Sequence, residues 1–135
     1  MKFKAAVLTK SKNPLVIDEL EVPIINVGQV LVKLDSSGVC GAQINEIDAV
    51  KGKDNFLPHL LGHEGHGEVL ECSDGVRYVK PGDKVVLHWR KGIGIESETP
   101  KYLSKSLGLI NAGWVTTFNE YAVVSENRLT VIPSH

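Results

Sequence analysis

Two short segments of this sequence carry side chains that could hold a metal ion. Cys40 lies in a Ser-Ser-Gly-Val-Cys-Gly segment, and His63 and Glu64 are adjacent in a Leu-Gly-His-Glu-Gly-His-Gly segment. Thiolate, imidazole and carboxylate are the ligands that zinc prefers, and a catalytic zinc keeps three protein ligands and one open position. The residue types predict a catalytic metal site at Cys40, His63 and Glu64, and a further protein ligand is not apparent in the sequence.

The remaining histidines and the second cysteine favour ordinary structural roles. His-Glu-Gly-His is one residue shorter than the helical His-Glu-x-x-His motif, and glycines flank it, so a protease-type zinc helix is not supported. We expect His66 to be a strand or pocket-edge residue and Cys72 to be a small core residue. His59 and His88 are predicted to lie at the surface or at a rim.

The elements that must position these residues are short strands. Runs rich in Val, Ile and Leu are separated by Gly, Pro, Asn and Asp, a pattern typical of an all-β barrel or sandwich. Residues 42–50 follow a helical pattern, which places Cys40 near a helix N-terminus that favours its thiolate form. Residues 90–112 are predicted to form a long loop or small lobe. The predicted strands are 4–9, 15–22, 29–37, 65–72, 84–87, 118–125 and 128–132.

Length and composition indicate a single globular domain, residues 1–135. The chain has 15 basic and 16 acidic residues and a formal net charge of -1, without a basic cluster that could track phosphates, which argues against nucleic-acid binding. Its start lacks an apolar leader and no segment approaches a membrane span, so we expect a cytoplasmic protein without membrane contact. The 2 cysteines give no disulfide framework.

Four segments match a known pattern in the same order. They are residues 38–41, 61–67, 79–85 and 118–123. On these segments the chain resembles the N-terminal, GroES-like catalytic domain of medium-chain, zinc-dependent alcohol dehydrogenases. The resemblance covers nearly the whole chain and implies a mainly β fold, a partly open barrel with short helices. It also implies a following nucleotide-binding domain, with the catalytic zinc in the cleft between the two.

The resemblance implies an oxidoreductase that interconverts an alcohol and a carbonyl compound by hydride transfer to or from NAD or NADP. Cys40 and His63 match zinc ligands, Glu64 matches an occasional ligand, and a second cysteine would come from the following domain. The nicotinamide cofactor would bind mainly to that domain, because this segment has no Gly-x-Gly-x-x-Gly turn. The chain alone is therefore expected to be inactive. The resemblance also implies that the full-length protein is a homodimer or homotetramer.

The sequence departs from the family pattern at the positions expected to relay the proton. Family members often have a hydroxyl residue at Ala42, an acidic residue at Gln43 and a histidine at Asn45. Ala42 and Asn45 cannot pass on a proton, and Gln43 is a weaker orienting partner for a ligand histidine than a carboxylate. Glu64 or a chain of water molecules is the expected alternative path.

The family's structural zinc lobe also differs, because this chain has no cysteine between residues 83 and 117. One catalytic zinc and no structural zinc are therefore expected. Trp89 and Asn45 are assigned to the substrate pocket, and the positive charges near Trp89 favour a polar or anionic substrate. An apolar cluster is expected to hold the lobe, with candidates Tyr102, Leu103, Leu107, Leu109 and Ile110.

Two other functions remain open from the sequence. A stand-alone GroES-like module could bind a partner without redox chemistry, and a zinc-free relative could reduce activated double bonds with the nicotinamide cofactor alone. Cys40 and His63 favour the zinc enzyme over both. Ala42, Gln43 and Asn45 keep the zinc-free reductase open.

Overall fold

The chain folds mainly into strands, as the sequence predicts. A computed structural model of the protein describes residues 1–133. Within these residues there are ten strands, one α-helix and a 3₁₀ turn at Glu126–Arg128. Their bounds are β1 Lys2–Leu8, β2 Val16–Glu21, β3 Gln29–Ser37, α1 Gly41–Ile47, β4 His59–Leu60, β5 Glu64–Cys72, β6 Lys84–His88, β7 Lys101–Ser104, β8 Gly108–Asn111, β9 Tyr121–Ser125 and β10 Leu129–Val131.

The strands form two sheets. A closed five-stranded barrel has the order β1-β2-β7-β8-β4, and a second five-stranded sheet has the order β10-β6-β5-β3-β9. Neighbouring strands are antiparallel apart from the short pair of β4 and β8. Barrel closure removes the free strand edges that would otherwise invite association with another chain.

Each sheet has its own apolar core. In the barrel, alternate residues of β1 point inward, and the Phe3 ring meets Tyr102 edge-on at a centroid distance of 5.5 Å. The second core is rich in valine, contributed largely by β3, β5, β6 and β9. Cys72 packs against this second core, as predicted.

Residues 90–112, predicted to form a long loop or small lobe, include two strands that were not predicted. β7 and β8 form a hairpin inside the barrel, with Tyr102 paired to Ile110 and both side chains buried. Leu103 and Leu109, expected in an apolar cluster, face outward and are 47% and 59% exposed because side chains alternate along a strand. Leu107, at 37%, is also exposed.

Polar contacts hold the segment that precedes this hairpin. The buried Glu126 carboxylate accepts hydrogen bonds from the backbone N–H groups of Arg77, Tyr78 and Ile95, at 2.5, 2.7 and 3.1 Å. The Arg128 guanidinium donates to the Trp89 carbonyl and to the Glu96 carboxylate. A carboxylate and a guanidinium thus fix this part of the chain, and this role was not predicted.

Glycines let the chain pass closely behind the candidate site. Gly62 has φ 94°, and a Cβ there would lie 2.2 Å from Thr117 Oγ1. A Cβ on Gly67 would lie 2.2 Å from the Lys33 carbonyl oxygen, where β5 pairs with β3. Gly62 thus serves an unusual φ, and Gly67 serves a close approach of two strands.

Candidate functional site

The pairing of β3 with β5 brings the two predicted ligand segments together. Ser37, the last residue of β3, pairs with Gly65 near the start of β5, and the Gly38 N–H donates to the Glu64 carbonyl at 2.9 Å. The chain then continues through Val39 to Cys40. Segments separated by more than twenty positions therefore meet at one edge of the sheet.

Cys40 lies where the sequence predicts it, directly before a short helix. It is the N-cap residue of α1, with extended backbone angles of φ -115° and ψ 152°, and it is half-buried. Its backbone N–H donates to Oε1 of Gln43 at 2.6 Å. This hydrogen bond closes the first turn of the helix and fixes the backbone that carries the thiol.

Gln43 also reaches the candidate ligand histidine. Its amide nitrogen lies 2.9 Å from Nδ1 of His63, and the Gln43 residue is only 2% exposed. One buried side chain therefore links the Cys40 backbone to the His63 ring. The position of Gln43, three residues after the helix cap, was a cue for this link, but from the sequence we expected only a weak orienting partner.

The direction of the two hydrogen bonds determines the proton position on His63. Oε1 of Gln43 already accepts from Cys40, so the group facing His63 is the NH₂ donor, and Nδ1 accepts. A neutral imidazole has one donor and one acceptor nitrogen, so Nε2 then carries the proton. Nε2 can bind a metal only after losing that proton, and the neutral ring must then carry its proton on Nδ1.

Glu64 lies at the same edge, with its carboxylate packed over the backbone of Gly38. A Cβ on Gly38 would lie 2.5 Å from Oε1 of Glu64, so glycine is what leaves room for this carboxylate. Within residues 1–133, no three His, Cys, Asp or Glu side chains form a group that could hold a metal ion. Cys40, His63 and Glu64 thus lie at one edge without completing a site in this part of the chain.

A cleft of about 830 Å³ opens beside α1. Asn45, assigned to the substrate pocket from the sequence, lines it together with Ala42 and Glu46 from the same helix. Trp89, the other assigned pocket residue, is not among its lining residues. Its indole lies under the Arg90 guanidinium, 5.1 Å from the ring centroid.

His59 forms part of the cleft wall, and its predicted surface position is wrong. It belongs to β4 in the barrel and is 6% exposed. Its Nε2 lies 2.6 Å from the Asp54 carboxylate, and Nδ1 contacts the Leu60 carbonyl oxygen at 2.8 Å. Barrel closure buries the ring, and Asp54, five residues earlier, supplies a polar partner. The sequence signal that we overlooked is this Asp-to-His spacing before an apolar strand.

Two carboxylates near the cleft have shifted pKa values in opposite directions. Desolvation acts to raise the pKa of Asp54, but hydrogen bonds from His59 and the Phe56 N–H outweigh it and lower the pKa. Desolvation raises the pKa of Glu46, although nearby His59 and His63 oppose the shift. Glu46 therefore lies in the electrostatic range of both the cleft wall and the candidate ligand.

His66 and His88 lie outside the candidate metal site. His66 lies on β5, half-buried and 3.6 Å from Asp35, as expected for a strand residue. His88 ends β6, where Nδ1 contacts the Arg90 carbonyl oxygen and Nε2 contacts Thr130. His135, to which the sequence assigns no role, lies outside the described residues.

The sequence matches the profile of the alcohol dehydrogenase GroES-like domain over residues 26–134. The chain belongs to this family. It corresponds to the N-terminal domain of the medium-chain alcohol dehydrogenases, which confirms the resemblance and the mainly β fold. None of the helices in residues 1–133 has the length and apolar character needed to cross a membrane.

Curated relatives support the family assignment, and a solved structure supports the fold. The chain is 35% identical to an NAD-dependent alcohol dehydrogenase from Sulfolobus acidocaldarius, over 93% of this chain and 39% of that protein. It is 40% identical to alcohol dehydrogenase 6 of Rattus norvegicus, over 64% of this chain and 23% of that protein. An alcohol dehydrogenase zinc-binding domain protein from Burkholderia ambifaria superposes with a TM-score of 0.86 at 21% identity, covering 98% of this chain and 42% of that one. The chain thus spans less than half the length of these proteins.

Proposed function

We propose that this chain is the catalytic domain of a zinc-dependent, NAD(P)-linked oxidoreductase that interconverts an alcohol and a carbonyl compound. The observation that carries the proposal is the Gln43 bridge, which joins the Cys40 backbone to the His63 ring at one sheet edge. Sulfur and imidazole nitrogen are suitable donors for zinc. The relatives named as alcohol dehydrogenases support the same reaction class.

In this proposal, Cys40 and His63 hold the metal and Glu64 is an occasional third ligand. Bound zinc would act as a Lewis acid that favours an alkoxide or polarises a carbonyl group. Cys40 would bind through its thiolate. Before metal binding, Gln43 holds the backbone of Cys40 and the His63 ring close together, and its amide would turn when Nε2 binds the metal. The nicotinamide cofactor and a further ligand would come from outside this chain, so the chain alone would not turn over.

The residues near α1 suggest a different proton path from the family's usual one. Ala42 and Asn45 cannot transfer a proton, whereas Glu46 lines the same cleft and its pKa is raised by desolvation. A carboxyl group with a raised pKa is better matched to proton exchange near neutral pH than an ordinary one. Glu46 therefore joins Glu64 as a candidate proton acceptor.

The Gln43 amide also favours a second candidate, a zinc-free reductase of the same family. Its NH₂ group donates a hydrogen bond to Nδ1 of His63, so the ring proton lies on Nε2. A histidine that binds zinc through Nε2 carries its proton on Nδ1 instead. Such an enzyme would use the nicotinamide cofactor without a metal. Zinc content distinguishes the two functions directly.

The test is the zinc content of the purified full-length protein that carries this chain, measured by mass spectrometry of the metal. We expect about one zinc per chain, as in a single catalytic site. Cys40→Ser should remove most of it, whereas Cys72→Ser, a change in a half-buried cysteine packed against the second core, should not. Equal zinc in the Cys40→Ser and wild-type proteins would refute the metal assignment, and zinc-free wild-type protein with reductase activity would favour the second candidate.

A further inference from the structure

The cleft beside α1 is lined by three lysines that lack an acidic partner. Lys51 and Lys53 lie on the loop after α1, and Lys101 begins β7 on the barrel. Within residues 1–133, none of the three has a carboxylate oxygen within 4.0 Å, whereas Lys84 lies 2.9 Å from Glu68 and Lys91 lies 2.9 Å from Glu96. The charges of the cleft lysines are therefore available to a ligand.

The acidic residues of the cleft offset this positive charge only in part. Asp54 is committed to the wall, because one carboxylate oxygen contacts His59 Nε2 and the other accepts from the Phe56 N–H at 2.9 Å. Glu46 lies 3.9 Å from His59 Nδ1, and desolvation raises its pKa. The lysines outnumber the carboxylates, so the cleft favours an anion.

The same cleft offers apolar surface. Phe56 and Trp114 line it and are 71% and 44% exposed, and the exposed Val50 adds aliphatic surface. Exposed aromatic side chains are a source of contact area for an apolar body. A ligand that carries both an anionic group and an apolar part would use both kinds of lining.

The positive residues that the sequence assigned to anion binding are occupied elsewhere. Arg90 lies over the Trp89 indole, and Lys91 forms an ion pair with Glu96. Neither residue lines the cleft. An anionic preference therefore rests on a different set of side chains from those near Trp89.

From these observations, we propose that the cleft binds a substrate with a phosphate or carboxylate group on an apolar body, with Lys51, Lys53 and Lys101 contacting the anion. Treating the cleft as the substrate site rests on the proposed function. Binding of an anion to the cleft does not depend on zinc, so the two proposals can fail separately.

The experiment measures binding of phenyl phosphate, benzoate and benzyl alcohol by calorimetry to the full-length protein that carries this chain. It uses the Cys40→Ser background, so that probe binding at an intact zinc site does not contribute. At low salt we expect each anionic probe to bind about tenfold tighter than benzyl alcohol, and added salt should reduce the difference. The affinities of phenyl phosphate and benzoate, compared with each other, show whether the cleft prefers a phosphate or a carboxylate group.

Two triple variants remove the same number of positive charges, one from the cleft and one from the surface elsewhere. Replacing Lys51, Lys53 and Lys101 together by Gln should weaken phenyl phosphate binding by about tenfold to a hundredfold, given roughly twofold to fivefold for each exposed ion pair. A control triple in which Lys10, Lys33 and Lys105 become Gln removes the same charge away from the cleft and should have little effect. Equal losses in the two triple variants, or anionic probes that bind no tighter than benzyl alcohol, would overturn the proposal. Loss of zinc in Cys40→Ser accompanied by intact anion binding supports both proposals, whereas unchanged zinc refutes only the metal assignment.

Discussion

Gln43→Glu is the substitution that most directly tests the geometry of the candidate metal site. The native amide has two different ends, and Oε1 accepts from Cys40 while the NH₂ group donates to His63 Nδ1. Glutamate has the same length, and both of its oxygens accept hydrogen bonds. It can keep the bond from the Cys40 N–H and also accept from a protonated Nδ1, which leaves Nε2 free to bind a metal.

The expected gain in zinc affinity follows from the hydrogen bond that the native amide must give up. To accept from Nδ1–H, the Gln43 amide has to turn, which keeps a bond to His63 but leaves the Cys40 N–H facing the NH₂ group without its acceptor. An N–H group left without its acceptor costs about 1–3 kcal/mol, and the change opposes zinc binding by this amount. Since 1.4 kcal/mol is a factor of ten, Gln43→Glu should bind zinc roughly tenfold more tightly, and up to about a hundredfold.

The assay is competition for zinc with a chromophoric chelator at neutral pH, using the wild type and Gln43→Glu of the full-length protein. His63→Ala in each background is the control, and it should remove the difference. Nitrogen NMR of metal-free wild type should show the proton of His63 on Nε2. A Gln43→Glu protein with unchanged or weaker zinc affinity, or a wild-type ring protonated on Nδ1 alone, would refute the reasoning.

Three further predictions concern stability, measured by chemical denaturation. Glu126→Ala leaves three backbone N–H groups without their acceptor and should lower the free energy of unfolding by about 3 kcal/mol or more, whereas Glu71→Ala at an exposed site should change little. Gly67→Ala places a Cβ against the Lys33 carbonyl oxygen and should lower the free energy of unfolding by about 1–3 kcal/mol. Gly41→Ala is the control, because a Cβ there meets nothing within 4 Å and should not destabilise the protein. Equal effects of the two substitutions would contradict the close approach at Gly67. Because the folded-state pKa of Asp54 is lowered, the stabilisation from its carboxylate is present above its unfolded pKa and is lost as pH falls through the folded pKa. Asp54→Asn should therefore lower the free energy of unfolding at neutral pH and make that free energy less dependent on pH below about pH 4. An unchanged pH dependence in this range would refute the assignment.

The strands of the fold were predictable where residues alternate or where an apolar run is bounded by turn residues. The prediction for β3 has the bounds of the structure, and those for β5 and β6 differ by one residue at one end. β7 and β8 were missed because their apolar residues do not mark one face: Leu103 and Leu109 are exposed, whereas polar Ser104 is buried on the side of Tyr102 and Ile110. Their place depends on distant partners in β2 and β4, which local sequence patterns do not report.

The candidate site was predictable in its residue types and less so in its connections. The position of Cys40 before a helix follows from the apolar spacing of residues 42–50, and the structure bears it out. The Gln43 bridge needs a helix turn and a strand register at once, so it cannot be read from either segment alone. His59 was misplaced for a related reason, because its burial comes from closure of the barrel and not from β4 itself.

The hydrogen bonds of Glu126 and Arg128 at the 3₁₀ turn connect residues 90–112, which contain no cysteine, to the candidate site. Arg128 donates to the Trp89 carbonyl, and Trp89 directly follows His88, which pairs with Glu64 across β6 and β5. The guanidinium therefore restrains the end of β6 next to the strand that begins at Glu64. In a closely packed sheet, a shift of one strand end is transmitted to its partner. The charge-assisted hydrogen bonds of Glu126 and Arg128 thus hold residues 90–112 and also support the sheet edge where Cys40, His63 and Glu64 meet.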